Sequence, residues 1–333
     1  MRYLKGYSLL LMASLVACSK GSNSPTLVGD WNRLNPAQFG GVARSSAASF
    51  VIDNKAYIGT GYDGTNRLQD FWMFDVDKNQ WTQKAPLTGA ARNGAVGMAM
   101  AGKGYVGTGY DGLNKLNDFY QYDPVANTWV RKADFAGSPR YGSVSFALKD
   151  KGYITTGYDG NWLNDNWQYD PATNAWTQAS SLNNGKRTDA SAFVIGNKAY
   201  VCMGTANSTF ITTFYSFDGD TQSWTTLRPI DNVSDQSYDD AYNFKGSGAA
   251  SFAMRGKGYI TSGSKGSLSS ATWEYTPETD LWLQKTDFKG AARTGATGFT
   301  VKDRGFVVLG VSSSQPFDDM FEFDPTATYN AND

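Results

Sequence analysis

Six times along the chain a run of small and apolar residues ends in a tight turn, and the same order of polar and aromatic positions follows. The runs are SSAASFVI (45–52), NGAVGMAM (93–100), YGSVSFAL (141–148), TDASAFVI (188–195), SGAASFAM (247–254) and TGATGFTV (294–301). Small residues suit a strand placed where several sheets crowd around an axis. Each run meets a pair of hairpin type: Asp53-Asn54, Ala101-Gly102, Lys149-Asp150, Gly196-Asn197, Arg255-Gly256 and Lys302-Asp303. A second strand follows, KAYIGTGY in the first repeat and KGYVGTGY in the second. A third carries aromatics and ends in Asp, as FWMFD (71–75) and FYQYD (119–123). A turn such as DPVAN (123–127) then leads into a strand built on Trp. Four short strands recurring every 47–48 residues predict an all-β ring of small sheets, one sheet per repeat.

The tryptophans count the repeats. Those of the fourth strand fall at 81, 129, 176, 224 and 282, and the sixth copy, which starts at Gly310, reaches Asp333 without one. Its fourth strand is missing, while Gly29-Asp30-Trp31-Asn32-Arg33 supplies a Trp strand with no repeat of its own. The economical solution is a six-bladed β-propeller of four antiparallel strands per blade over residues 27–333, closed by the N-terminal strand joining the last blade. Closure removes the sheet edges that would otherwise invite pairing with other chains.

These features resemble the kelch-repeat family: a glycine ends strand two, an aromatic and an Asp mark strand three, and a Trp stands six residues on. The usual Gly-Gly doublet reads Thr-Gly in the first three repeats, so the resemblance is to a divergent kelch. Within that family the chain is similar to the galactose-oxidase central domain and to the exported, six-bladed sialic-acid mutarotases.

Strand direction sorts the loops. Connections from strand four to strand one and from strand two to strand three share one rim, the loop face; the two-residue turns lie on the opposite, hairpin face. On the loop face an arginine precedes strand one in five blades: Arg44, Arg92, Arg140, Arg187 and Arg293, with Gly246 in the fifth repeat. Arginines near an axis can hold a carboxylate, sulfate or acidic peptide through forked hydrogen bonds. In some kelch propellers arginines at the matching position line a pocket for acidic peptides. The alternative is pairing with Asp70, Asp118, Asp165 and Asp319, which recur before strand three. The loops after strand two read Tyr62-Asp63-Gly64, Tyr110-Asp111-Gly112 and Tyr158-Asp159-Gly160 in three consecutive blades only. They break the pseudo-symmetry, and tyrosine faces there suit stacking on a sugar or packing on a peptide; the alternative is a plain Asp-Gly turn. The connection from Trp224 to Gly246 carries an insertion of 11 residues with Asp231, Asp235, Tyr238, Asp239, Asp240 and Tyr242. The loops DGTNRLQD (63–70) and DGLNKLND (111–118) have a glycine where a calcium ligand is needed and no bidentate Glu, so no metal is expected. The hairpin face has its own ring, Lys55, Lys103, Lys151, Lys198, Lys257 and Arg304, expected to pair with Asp75, Asp123, Asp170, Asp218 and Asp324.

Composition narrows the function. There are 30 basic and 31 acidic residues, which argues against a nucleic-acid partner. The chain has no histidine, which removes Ser-His-Asp triads, His-centred metal sites and the copper chemistry of galactose oxidase. No cofactor is expected. Only Cys18 and Cys202 are present; Cys202 sits in an apolar strand and reads as a small core residue. Residues 1–17 have a positive start at Arg2 and Lys5, then an apolar run too short to span a bilayer. Leu15-Val16-Ala17-Cys18 is similar to the lipobox of bacterial lipoproteins, which implies cleavage before Cys18, lipidation of Cys18, and a tether over 18–26. The expected product is a monomeric propeller anchored in a bacterial envelope, on an outer-membrane or periplasmic side. It binds an unidentified peptide, glycan or partner protein through the loop face. Two alternatives remain open: an enzyme on an acidic sugar using Arg, Asp and Tyr, as the mutarotase resemblance implies, and a structural envelope protein.

Overall fold

The computed structural model describes residues 27–34, 38–231 and 242–331. The signal segment, Cys18 with its tether, and Asp235, Tyr238, Asp239 and Asp240 of the insertion lie outside the described residues. The fold is the expected one. Six four-stranded antiparallel sheets form the blades. Blade one runs outward from the axis as Ala48–Ile52, Lys55–Gly59, Phe71–Asp75 and Gln80–Lys84. Blade six is Thr297–Val301, Arg304–Val308 and Met320–Thr328, completed at its outer edge by Val28–Arg33. The joining strand is antiparallel, with Trp31 opposite Phe323. Both chain ends thus share one sheet, and every blade is paired on the same plan.

The tight turns follow their sequences. At Ala101-Gly102, Lys149-Asp150, Arg255-Gly256 and Lys302-Asp303 both central residues have positive φ, between 48° and 73°. That backbone twists with the flanking strands.

The core lies between blades. Phe50 on the inner strand of blade one stacks on Tyr57 and meets Tyr122 and Trp129 of blade two at 6.2 and 6.4 Å. Glycine follows the lysine of strand two because the neighbouring ring needs the room: a methyl on Gly104 would overlap Phe50, and one on Gly258 would overlap Phe193. The repeat tryptophans pack at the junction with the preceding blade, as Trp129 does on Phe71, Trp176 on Phe119 and Trp224 on Phe146. Trp129 and Trp176 donate their indole N–H to the carbonyls of Ala85 and Ala133 at 2.9 and 3.1 Å, both in the preceding repeat. Trp31, fully buried, fills the same position at the closure against Phe288 and Phe252 of blade five's side and Phe323 of its own sheet. Cys202 is buried in this core, and burial pushes its thiol up to about 12.

Candidate functional site

The centre of the loop face is built from backbone. Ser46, Gly94, Gly142, Asp189, Gly248 and Gly295, one per blade, form a closed ring of six hydrogen bonds. Each N–H donates to the carbonyl of its counterpart in the preceding blade at 2.8–3.1 Å. All six have φ between +53° and +65°, a conformation that favours glycine. Four positions are glycine; Ser46 and Asp189 are short polar residues. Around this ring opens a cavity of about 330 Å³ that all six blades line.

One shell outward stand the arginines. Arg44, Arg92, Arg140, Arg187 and Arg293 are all fully buried. Arg92 is representative. Its backbone pairs with blade one, donating to Leu68 O and accepting from Gly61 N. Its side chain crosses to blade two: Nε donates to Ala90 O at 2.9 Å and Nη1 to Thr108 O at 3.0 Å. The guanidinium fork grips Asp118 at 2.5 and 2.7 Å. Arg44 with Asp70, Arg140 with Asp165 and Arg293 with Asp319 repeat the arrangement. Burial alone would raise the Asp118 carboxyl, but the hydrogen bond and charge of Arg92 outweigh it and hold it below the usual range. These guanidinium groups are spent joining blade to blade and do not face the opening. The pairing alternative describes them, because the loops that bring each arginine in also cover it.

Two blades depart from this clamp. In blade four Thr213 replaces the aspartate, and among the described residues Arg187 donates to the Thr213 carbonyl and hydroxyl, Gly185 O and Met203 O. Burial without a carboxylate partner pulls its pKa down to about 10. In blade five both members are gone, replaced by Gly246 and Ala271.

The Tyr-Asp-Gly loops hold their tyrosine faces differently from their carboxylates. Asp63 accepts from the backbone N–H of Thr65 and Asn66 at 2.7 and 2.6 Å, and Asp111 from Leu113 and Asn114 at 2.8 and 2.6 Å. The N–H groups of Asn66 and Asn114 lead in holding these carboxyls below their usual range. Asp159 accepts from Asn161 N at 2.9 Å. The hydroxyls of Tyr62 and Tyr110 donate to Gly64 O and Gly112 O at 2.8 Å. The polar atoms thus stabilise the loops, and the half-buried rings are left to interact.

Those rings form a series across three blades. Arg67 lies between Tyr62 and Tyr110, its guanidinium carbon 5.2 and 4.7 Å from their centroids. Tyr110 contacts Tyr141 at 5.7 Å, Tyr141 contacts Tyr158 at 5.7 Å, and Tyr158 contacts Trp162 at 5.4 Å. Lys115 stands over Tyr158 at 5.7 Å. The other blades carry Thr205, Ser264 and Val311 at the tyrosine position, each in the same bridge to its strand-one loop. Arg67, Lys115, Tyr141 and Trp162 escape a reading by loop motif. The recurrence of a cation five residues after Tyr62 and Tyr110 is the signal that would have found the first two.

Asp189 is the carboxylate of the central ring, where the other blades have Ser or Gly. Water reaches it in the opening, but protein surrounds it, and this desolvation raises its carboxyl against a partial offset from Thr188. Tyr141 feels the same neighbourhood: burial first, then the Asp189 charge, raises its hydroxyl.

On the hairpin face Lys103, Lys151 and Lys198 pair with Asp123, Asp170 and Asp218 at 2.8, 2.6 and 3.7 Å, as expected. Lys257 and Arg304 depart from the expectation and pair with Glu274 and Glu322, both at 2.6 Å. Asp324 accepts instead from Thr326. Asp75 is reached by Lys78 at 3.8 Å, and among the described residues Lys55 makes no ion pair. Strand pleat explains the two glutamates: they lie on strand three directly opposite strand two, within reach of its long cations. Among the described residues no helix is long and apolar enough to cross a membrane.

The Kelch motif matches residues 43–88 and 139–183, covering blades one and three. Among solved structures the chain is similar to the one described as "Structure of YjhT", with a TM-score of 0.72 and 16% identity, over 85% of this chain and 95% of that one. No curated protein matches the sequence.

Proposed function

We propose that this six-bladed propeller of kelch repeats is a recognition module that binds a glycan, peptide or partner protein on its loop face. The observation that carries the reading is the series Tyr62, Arg67, Tyr110, Tyr141, Tyr158 and Trp162, confined to three of six blades. A scaffold requirement would recur around the ring, as the arginine clamps do. Half-buried aromatic faces interleaved with cations suit a ligand with flat apolar surfaces and acidic or hydroxyl edges. The reading includes a lipid anchor at Cys18. The strand Val28–Arg33 runs from the hairpin face toward the loop face, so the tether leaves from the hairpin face and the recognition surface points away from the bilayer. Glycan-array and peptide pull-down screens of the wild type against Tyr110→Ala and Arg67→Ala test the reading. Binding should fall by about tenfold or more in each variant with the melting temperature nearly unchanged; equal binding by all three proteins would refute it. Membrane fractionation of Cys18→Ala tests the anchor separately, since the variant should leave the membrane fraction.

A second reading, acid–base catalysis on an acidic sugar, draws on the raised Asp189 carboxyl beside Tyr141 in the opening. Arg67 and Lys115 would then hold the substrate carboxylate, since the five ring arginines are covered. Anomer exchange in N-acetylneuraminate, followed by NMR with wild type and Asp189→Asn, separates the two: a rate equal to the buffer blank removes the enzyme.

A further inference from the structure

Blade five holds a cavity where the other blades hold a clamp. Gly246 and Ala271 stand where blades one, two, three and six have an arginine and an aspartate. The space left is a cavity of about 190 Å³ lined by Gly246, Ala271, Ser262, Trp273, Phe244 and Lys245 among others. An apolar cavity of roughly 150 Å³ is enough for a benzene molecule, so this one has room for a small organic compound.

Its walls are not those of a dry packing gap. The Trp273 indole N–H and the Ser262 hydroxyl are buried, with each residue 5% exposed, and among the described residues neither has a hydrogen-bond partner. For Trp273 the cause is the missing aspartate; Ser262 shares its unpaired state with Thr108 and Thr156, which hold the same position in blades that keep theirs. In blades one and three Trp72 and Trp167 donate to Asp70 and Asp165 at 2.8 Å; Trp273 faces Ala271 instead. Buried donors without acceptors are rare in folded proteins because the lost hydrogen bond to water is not replaced. Phe244, buried at the cavity, comes shortly after Tyr242 in the chain, which is buried too. Phe244 stacks on Trp273 at 4.7 Å and 20°, giving the cavity an aromatic wall. Charge completes the picture: Lys245 and Lys265 line the cavity, and no Asp or Glu among the described residues does. Among the described residues the charged side chains at its wall are thus cationic only, which disfavours a cationic guest.

We propose that this cavity is a binding site for a small organic anion. Its carboxylate or phosphate accepts from the Trp273 N–H and the Ser262 hydroxyl, and its body lies against Phe244 and Trp273. The site is separate from the aromatic series on blades one to three and does not rest on the reading of that surface.

The test follows the Trp273 indole resonance in ¹H–¹⁵N spectra, assigned with Trp273→Phe. Benzoate, glucuronate and inorganic phosphate are titrated, with benzyl alcohol and glucose as neutral counterparts. At least one anion should move the resonance saturably, and its neutral counterpart should bind at least about tenfold more weakly. Lys245→Ala should weaken binding about fivefold or more. Ala271→Asp should abolish it, because the new carboxylate takes the indole N–H and repels the anion. Should that variant fail to fold, Ser262→Ala trims a single hydroxyl and should weaken binding likewise. If none of the three anions moves the resonance, a buried water is the occupant and the proposal fails. It fails too if the neutral compounds bind equally, or if the folded variants titrate as the wild type does.

Discussion

Removing Asp118 alone should cost more than removing the whole Arg92–Asp118 clamp. In the native protein Arg92 is fully buried and the Asp118 side chain is 16% exposed. The Asp118→Ala variant leaves a charged guanidinium with Ala90 O and Thr108 O as its acceptors. Stripping one partner from a buried pair costs about 3–5 kcal/mol, and the partial exposure of Asp118 points to the lower end, about 3 kcal/mol. Replacing both members with apolar groups of similar bulk removes the stranded charge, so Arg92→Met/Asp118→Ala should recover about 1–3 kcal/mol of that loss. Blade five is the native precedent, since Gly246 and Ala271 lack both charges together. Urea unfolding followed by tryptophan fluorescence measures both variants. A loss of about 3 kcal/mol corresponds to a melting temperature lower by about 6–12 °C on the scale of 150–250-residue domains. The pH dependence supplies an internal check. The Asp118 carboxyl titrates below its ordinary value of 3.8 in the folded protein, so its contribution is complete above that value. It is lost as pH falls from 3.8 through the depressed folded value, and Asp118→Ala should flatten that part of the acid-unfolding curve. A loss below about 1 kcal/mol for Asp118→Ala, or a double variant no better than the single, would refute the account of a buried pair whose members depend on each other.

Three further outcomes follow from the same geometry. Thr213→Asp should stabilise the protein by about 1.5–3 kcal/mol in urea unfolding, because it gives buried Arg187 the carboxylate its counterparts have; a neutral or destabilising result would mean that Thr213 and the surrounding carbonyls already satisfy the charge. Trp31→Ala should cost about 3–5 kcal/mol and expose the last blade to proteolysis first, since Trp31 holds the closing strand against Phe288 and Phe323; uniform cleavage of all blades would argue against closure as the weak point. Asp189→Asn should gain stability relative to wild type as pH rises, and the gain should vanish below the ordinary aspartate value of 3.8. The sign follows from the raised folded carboxyl: the folded protein holds its proton longer than the unfolded chain, so wild-type stability falls between 3.8 and the folded value. Parallel curves for the two proteins would show that water in the opening solvates Asp189 as bulk water does.

The sequence by itself determined the ring. Period, turn pairs and the orphan Trp31 fix six blades and the closing strand, because each repeat carries its own strand alternation and each inter-blade contact reuses one aromatic position. Tertiary structure alone decided which loop-face arginines are fully buried and which are half-buried at the rim, where Arg67 Nε donates to Asn93 Oδ1 at 3.0 Å. Arg92 and Arg67 are both loop-face arginines, yet one is locked on Asp118 by the loop that carries it and the other lies between two tyrosine rings. Chain distance hides such outcomes. Tyr141 enters the aromatic series from the loop before its blade, with Tyr110 of the preceding blade on one side and Tyr158 of its own on the other. Asp189 gains its raised carboxyl from six loops meeting at the axis. The blade-five cavity needs Gly246 and Ala271 together, 25 residues apart, and it exists because a guanidinium and its carboxylate fill one volume only once the chain has folded them into contact.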